Sequence, residues 1–381
     1  MKCIVNGRVV LSDRAVTGKA VLFDEKIADI VDTDSVSTEK CEIIDAAGAY
    51  VAPGLVDMHI HGYLGADVSD GDPEGIKKMA RGIAENGVTS WCPTTMTVSE
   101  KEILAAFDAA RKVKGESEYY GARILGINCE GPFINPSKKG AQAEEHIKRP
   151  DGDFIINNAD ILKVYTVAPE MDGALECIEK VYKDGRVLSS MGHTGATFEE
   201  AKAGIAAGVR HTTHLFNAMT PLMHRNPGVV GAALSDDRVS CELIADTFHV
   251  NKGLFGIVAK LKGDKLCLIT DCMRAGGMPD GDYTLGGQPV KKKGIQCLLE
   301  DGTIAGSVLK LNNAVKNLYD NTDLSVAEAF AAASLNPAKV LGEDGEIGSI
   351  EAGTRADIII CDDDFNIIKT IIGGTIRYEC K

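Results

Sequence analysis

The sequence predicts an α/β protein: a (β/α)8 barrel carrying a small β-sandwich domain formed by its N- and C-terminal segments. Three observations lead there. Eight apolar runs with strand character lie between residues 55 and 270. Most are separated by stretches with apolar residues every three or four positions, and both chain ends are rich in short β-like runs. Eight such alternations is the count of a barrel. A doubly wound sheet is the competing arrangement, but neither GxGxxG nor GxxxxGK[ST] occurs to support it.

In chain order, Cys3-Ile-Val-Asn-Gly-Arg-Val-Val-Leu11 carries an Asn-Gly turn signal, and Ala20-Val-Leu-Phe23 follows. The predicted barrel strands are 55–61, 88–94, 124–129, 162–168, 187–191, 209–214, 241–245 and 266–270. Glu100–Val113 and Phe198–Ala207 are the clearest helical stretches. Residues 281–303 read as a small hairpin inserted after the last barrel strand, with the Lys291-Lys-Lys293 run as a solvated face. Ala356-Asp-Ile-Ile-Ile-Cys361 and 367–378 return to β character and pair with the N-terminal runs. The expected division is 1–52 and 341–381 for the β-domain, with 53–340 for the barrel.

Composition bounds the function. The chain has 381 residues, 44% hydrophobic and 25% charged, which are globular values and exclude wholesale disorder. A net charge of −14 argues against nucleic acid or an anionic membrane as partner. Any anionic substrate must therefore meet a local basic group. The eleven cysteines form no CxxC, and several lie in apolar runs, as expected of reduced thiols in the cytoplasm. The N-terminus lacks the apolar segment of a signal peptide, and no run is long enough to span a membrane.

Polar residues concentrate at the strand ends. Leu55-Val-Asp-Met runs into His59-Ile-His61, and Ile124–Cys129 into Glu130. Val187–Gly192 reaches His193, and His211-Thr-Thr reaches His214. Cys241–Ala245 leads to Asp246 and His249, and Leu266–Thr270 to Asp271. Parallel barrel strands gather these residues at one face, the catalytic end of such folds. His, Glu and Asp converging there form a ligand set for a hard-to-borderline divalent ion. Of the other histidines, His146 and His224 have weaker claims, and His211 begins its strand as a structural residue.

Pro53-Gly-Leu-Val-Asp-Met-His-Ile-His-Gly62 resembles the first-strand signature of the amidohydrolase superfamily. Cys129-Glu-Gly-Pro-Phe-Ile134, Met191-Gly-His-Thr194, His214-Leu-Phe-Asn-Ala-Met219 and Thr270-Asp-Cys-Met273 resemble its N-acetylglucosamine-6-phosphate deacetylase family. The likeness runs through Gly306-Ser307 and Asn336-Pro-Ala-Lys339 to Gly353–Asp357, covering the chain in order. It implies metal-dependent hydrolysis of an acetamide to an amine and acetate, in amino-sugar catabolism. Two departures stand out. Lys163 starts its strand, so no modified lysine bridges at the fourth strand, and Gln142 stands where some deacetylases have His.

The resemblance assigns roles. Glu130, His193 and His214 are implied as metal ligands that leave an open position, with Asp271 as general base and then general acid. His59 and His61 imply a second position, with Glu130 close enough to bridge and Asp271 completing the first-strand site. His249 is placed to donate to the carbonyl or a sugar hydroxyl. Ala141, Gln142, Asn217, Ala218, Arg225, Asp246, Thr247, Phe248, His249, Ile304, Ala305 and Gly306 are implied to line the substrate pocket. Arg225 is the candidate for the phosphate, reaching across a homodimer interface. One or two divalent ions are expected: zinc by default from the His-rich set, with iron, manganese or cobalt also accepted. The gluco or galacto epimer of the substrate stays open, as does a non-catalytic sugar-phosphate-binding paralogue.

Overall fold

The computed structural model describes residues 1–36 and 41–380. Its centre is a parallel eight-stranded barrel. The strands are β1 (Leu55–Ile60), β2 (Val88–Thr95), β3 (Ile127–Phe133), β4 (Leu162–Val167), β5 (Leu188–Met191), β6 (His211–Thr212), β7 (Ser240–Ile244) and β8 (Leu266–Ile269). Each pairs in parallel with the next. The circle is completed past the end of β8, where Asp271 N–H donates to His59 O at 2.9 Å and Cys272 bridges Ile60. Nearly every strand residue is buried, as expected when helices cover a parallel sheet.

The helical punctuation follows from local chemistry. Ser99 and Thr197 cap Glu100–Lys114 and Phe198–Ala207 in reciprocal pairs with Glu102 and Glu200. Two predicted strands come out differently. The run expected over 124–129 is split: Ile124 pairs beside Trp91, and pairing resumes at Asn128 beside Thr94. Between them, a Cβ on Gly126 would lie 2.7 Å from Ile161 O, so the close approach requires glycine. The run expected over 209–214 keeps only His211–Thr212 as strand. Val209 closes the preceding helix, its N–H donating to Gly204 O at 3.0 Å, and His214 turns away at φ 28°.

The two ends do pair. A six-stranded sheet runs Thr375–Glu379, Ile367–Ile372, Ile358–Cys361, Tyr50–Pro53, Arg8–Val10, Ala15–Val16. A four-stranded sheet of N-terminal residues faces it, and Ile4, Val21, Phe23, Val51, Ile358 and Ile371 fill the space between. The Asn6-Gly7 turn joins these two sheets as a corner, with Asn6 at φ 57°, instead of closing a hairpin. The insertion after β8 is a three-stranded antiparallel sheet, Gly281–Leu285, Gln288–Lys293 and Gln296–Leu298. It reaches the barrel mouth, where Gln288 Nε2 donates to Ala141 O at 2.6 Å. Lys291 and Lys293 are exposed, as expected. Among the described residues no helix is long and apolar enough to cross a membrane.

Candidate active site

Strand parity places the chemistry. Asp57, His59 and His61 alternate along β1 toward the barrel interior, and Glu130 does the same on β3. His193, His214 and Asp271 lie just past the ends of their strands, at φ 47°, 28° and 48°. Left-handed backbone is uncommon for such residues, and its recurrence at three converging positions marks a site that the surrounding structure holds in shape. The side chains of His59, His61, Glu130, His193, His214 and Asp271 are all buried.

They fall into two groups. Donor atoms of His59, His61 and Asp271 lie within 4.8 Å of one another, as do those of Glu130, His193 and His214. Glu130 stands between them: Oε1 is 2.9 Å from His214 Nε2 and 3.1 Å from His193 Nε2, while Oε2 is 3.2 Å from His61 Nε2. Asp271 Oδ1 is 3.2 Å from His61 Nε2.

The ring orientations identify what belongs in the centre. His61 Nδ1 faces Thr94 O at 3.2 Å and His193 Nδ1 faces Lys138 O at 2.9 Å. Carbonyl oxygens only accept, so each Nδ1 carries the hydrogen and each neutral ring turns a lone pair inward from Nε2. His59 is set the same way by Glu242 Oε2, 2.9 Å from its Nδ1. The inward nitrogens then crowd, His59 against His61 at 3.2 Å and His193 against His214 at 3.1 Å. Lone pairs at that distance repel unless a cation lies between. Two nitrogens sharing an ion at zinc–imidazole bond lengths sit roughly 3.2–3.4 Å apart, so the donor set fits a divalent metal.

The electrostatics agree. Burial works against a charge on His59, but Glu242, Glu130 and Asp271 outweigh it and push the ring up to about 9. Burial likewise opposes His61, whose bonds to Asp271 and Glu130 hold it well above its ordinary value. Burial would raise Glu130, yet the charges of His193 and His59 keep its carboxyl well below the usual range. Without a metal, protons take the cation's place.

Above the two groups opens a cavity of about 380 Å³. Of the residues implied for the substrate, Ala141, Gln142, Asn217, Ala218, His249, Ile304 and Gly306 line it. Asp246 stands behind, accepting from Phe248 N–H, His249 N–H and His249 Nδ1 at 2.9, 2.8 and 2.6 Å, and so shapes the turn in which Thr247 takes φ 68°. Ala305, between Ile304 and Gly306 in the chain, is fully buried. Arg225 is not among the lining residues; it sits on the exposed turn 221–226. Gln142 also has both ends of its amide engaged within the protein, Nε2 donating to Glu130 Oε2 at 2.5 Å and Oε1 accepting from Thr97 N–H at 2.6 Å.

Two residues escaped the sequence reading. Lys138 lines the cavity, and its carbonyl oxygen faces His193 Nδ1. Glu242, fully buried on β7, contacts His59, His211 and the backbone of His214. Its signal was present: a lone carboxylate inside the apolar run Cys241-Glu-Leu-Ile-Ala245 is rare unless paired.

Residues 50–377 match the amidohydrolase family. Over 360 residues, the chain is 39% identical to N-acetylglucosamine-6-phosphate deacetylase of Bacillus subtilis (strain 168), covering 91% of each. Over 332 residues it is 38% identical to N-acetylgalactosamine-6-phosphate deacetylase of Escherichia coli O157:H7, covering 86% of this chain and 87% of that one. The crystal structure of N-acetylglucosamine-6-phosphate deacetylase from Pasteurella multocida superposes with a TM-score of 0.94 at 30% identity, covering 98% of this chain and 99% of that one.

Proposed function

Because the chain belongs to the amidohydrolase family, we propose that it hydrolyses the acetamide of N-acetyl-D-glucosamine 6-phosphate to D-glucosamine 6-phosphate and acetate, a step of amino-sugar catabolism. The observation that carries this reading is the pair of buried donor groups meeting at Glu130 beneath a sugar-sized cavity. A divalent ion held there supplies acidity to the attacking water and polarises the amide carbonyl. Glu130, His193 and His214 hold one ion, and His59, His61 and Asp271 the second, with zinc favoured by the imidazole majority.

Asp271 borders the cavity on the side of the first group. Its carboxylate takes a proton from the attacking water and delivers it to the departing nitrogen, returning to its starting state each turnover. His249, its Nδ1 fixed by Asp246, presents Nε2 to the substrate for the carbonyl or a hydroxyl. Ile304, Gly306 and Leu285 add apolar and backbone surface to the same cavity. Lys138 from this chain and Arg225 from a second copy offset the net charge of −14 where the phosphate enters. This makes a homodimer the working assembly.

The likeness to an N-acetylgalactosamine-6-phosphate deacetylase favours a second reading with the epimeric substrate. Acetate release from the two sugar phosphates, measured on zinc-loaded protein, tests both. Turnover of the gluco epimer well above the galacto epimer supports the first reading, and the reverse order supports the second. Release from neither removes the deacetylase assignment.

A further inference from the structure

Glu242 sits beneath the candidate metal positions and contacts neither cavity nor solvent. A carboxylate so placed must be compensated, because an unpaired buried charge is strongly disfavoured. One oxygen is anchored from below: His211 Nε2 lies 3.2 Å from Oε1, and His211 Nδ1 is itself 2.6 Å from Ser240 Oγ. That fixes the carboxylate plane and leaves Oε2 facing upward.

Oε2 then meets two partners that belong to different groups. It accepts from His59 Nδ1–H at 2.9 Å, which sets the tautomer and tilt of a ring in the first group. It also accepts from the backbone N–H of His214 at 2.9 Å, which holds a residue of the second group in its left-handed turn at φ 28°. The two groups therefore share Glu130 from above and a single oxygen of Glu242 from below. Any shift of that oxygen displaces a ligand in each.

We propose that Glu242 is a positioning residue that couples the two metal positions, so that both depend on it although it ligates neither. This rests on the reading of the two groups as ion sites. Loss of such an outer contact typically lowers metal affinity about 10–100-fold.

The test is zinc uptake by chelator-stripped protein, read by elemental analysis after dialysis against buffered free zinc, for wild type, Glu242→Ala and Glu242→Gln. Far-ultraviolet circular dichroism checks that each variant is folded. In Glu242→Ala both uptake midpoints should move to higher zinc, about 10–100-fold. Glu242→Gln keeps an acceptor for the same two donors but loses the charge, so its midpoints should move the same way by less. If Glu242→Ala does not fold, Glu242→Gln decides alone. Movement of one midpoint only, or of neither, overturns the coupling while leaving the ion sites in place. A wild-type chain that takes up fewer than two ions defeats the paired-ion reading, and the coupling falls with it.

Discussion

Gln142 donates to Glu130 Oε2 at 2.5 Å, fixing which oxygen of that carboxylate faces each donor group. The other end of the amide accepts from Thr97 N–H at 2.6 Å, so the side chain bridges the loop after β2 and the shared carboxylate. Gln142→Leu would leave the buried Thr97 N–H without its acceptor and take one donor from Glu130 Oε2, which keeps His61 Nε2 at 3.2 Å. Denaturant unfolding should show a loss of about 1–3 kcal/mol. An unchanged midpoint would mean that water replaces the amide at both contacts.

Proton transfer is assigned to Asp271. Asp271→Asn should retain the fold and the ion held by Glu130, His193 and His214, while kcat falls by about 10²–10⁴-fold. Steady-state kinetics alongside metal content separates the two effects. Full metal with near-normal kcat would take Asp271 out of the mechanism.

Metal uptake should depend on pH with a definite sign. In the metal-free chain, burial opposes the charge on His59, but its carboxylate neighbours push it up to about 9 from its ordinary 6.5, so the ring is protonated at neutral pH. An ion must displace that proton and the one on His61, also held well above its ordinary value, so affinity rises with pH through the neutral range. Zinc titrations in weakly buffered solution should release protons at pH 7. A pH-independent affinity between 6 and 9 would contradict the protonated ring.

The phosphate contact separates two cations. Arg225→Ala should raise KM for the phosphorylated sugar and leave residual activity on unphosphorylated N-acetylglucosamine unaltered. Because Arg225 lies on an exposed turn of its own chain, the effect should vanish if the protein is monomeric, which sedimentation velocity reports. Equal losses on both sugars would make Arg225 structural.

The first-strand pair is tested by composition. Metal content of the His59→Ala, His61→Ala double variant should fall from about two ions per chain to about one. Unchanged content would show that these rings ligate nothing.

The alternation that announces a barrel was legible because it is local. Eight buried strands need continuous apolar runs, and the covering helices need a 3.6-residue period, so both leave marks on any short window of sequence. The site's outline was legible for the same reason: polar residues that break an apolar run at its end, as at Glu130 and Asp271, must face something other than core. Asn6-Gly7 shows the limit of local reading. Its turn propensity was real, but whether the flanking strands pair with each other or with separate sheets depends on Tyr50–Pro53 and Lys19–Phe23, which compete for them.

The sequence by itself determined the order of elements, the ligand types and the open question of one ion or two. Only the tertiary structure decided which atoms meet. Glu242 acquires its meaning from the pairing of β7 with β6 and from the barrel curvature that brings His59 of β1 across to it, 183 residues away. Gln142 lies on a loop whose position is set by strands on either side, and no spacing rule reports that its amide ends on Glu130. Arg225 is left outside its own cavity by the exposed turn that carries it. The physical reason is common to all three: hydrogen bonds and charges act over about 3 Å in space, whereas the chain reveals only proximity in sequence.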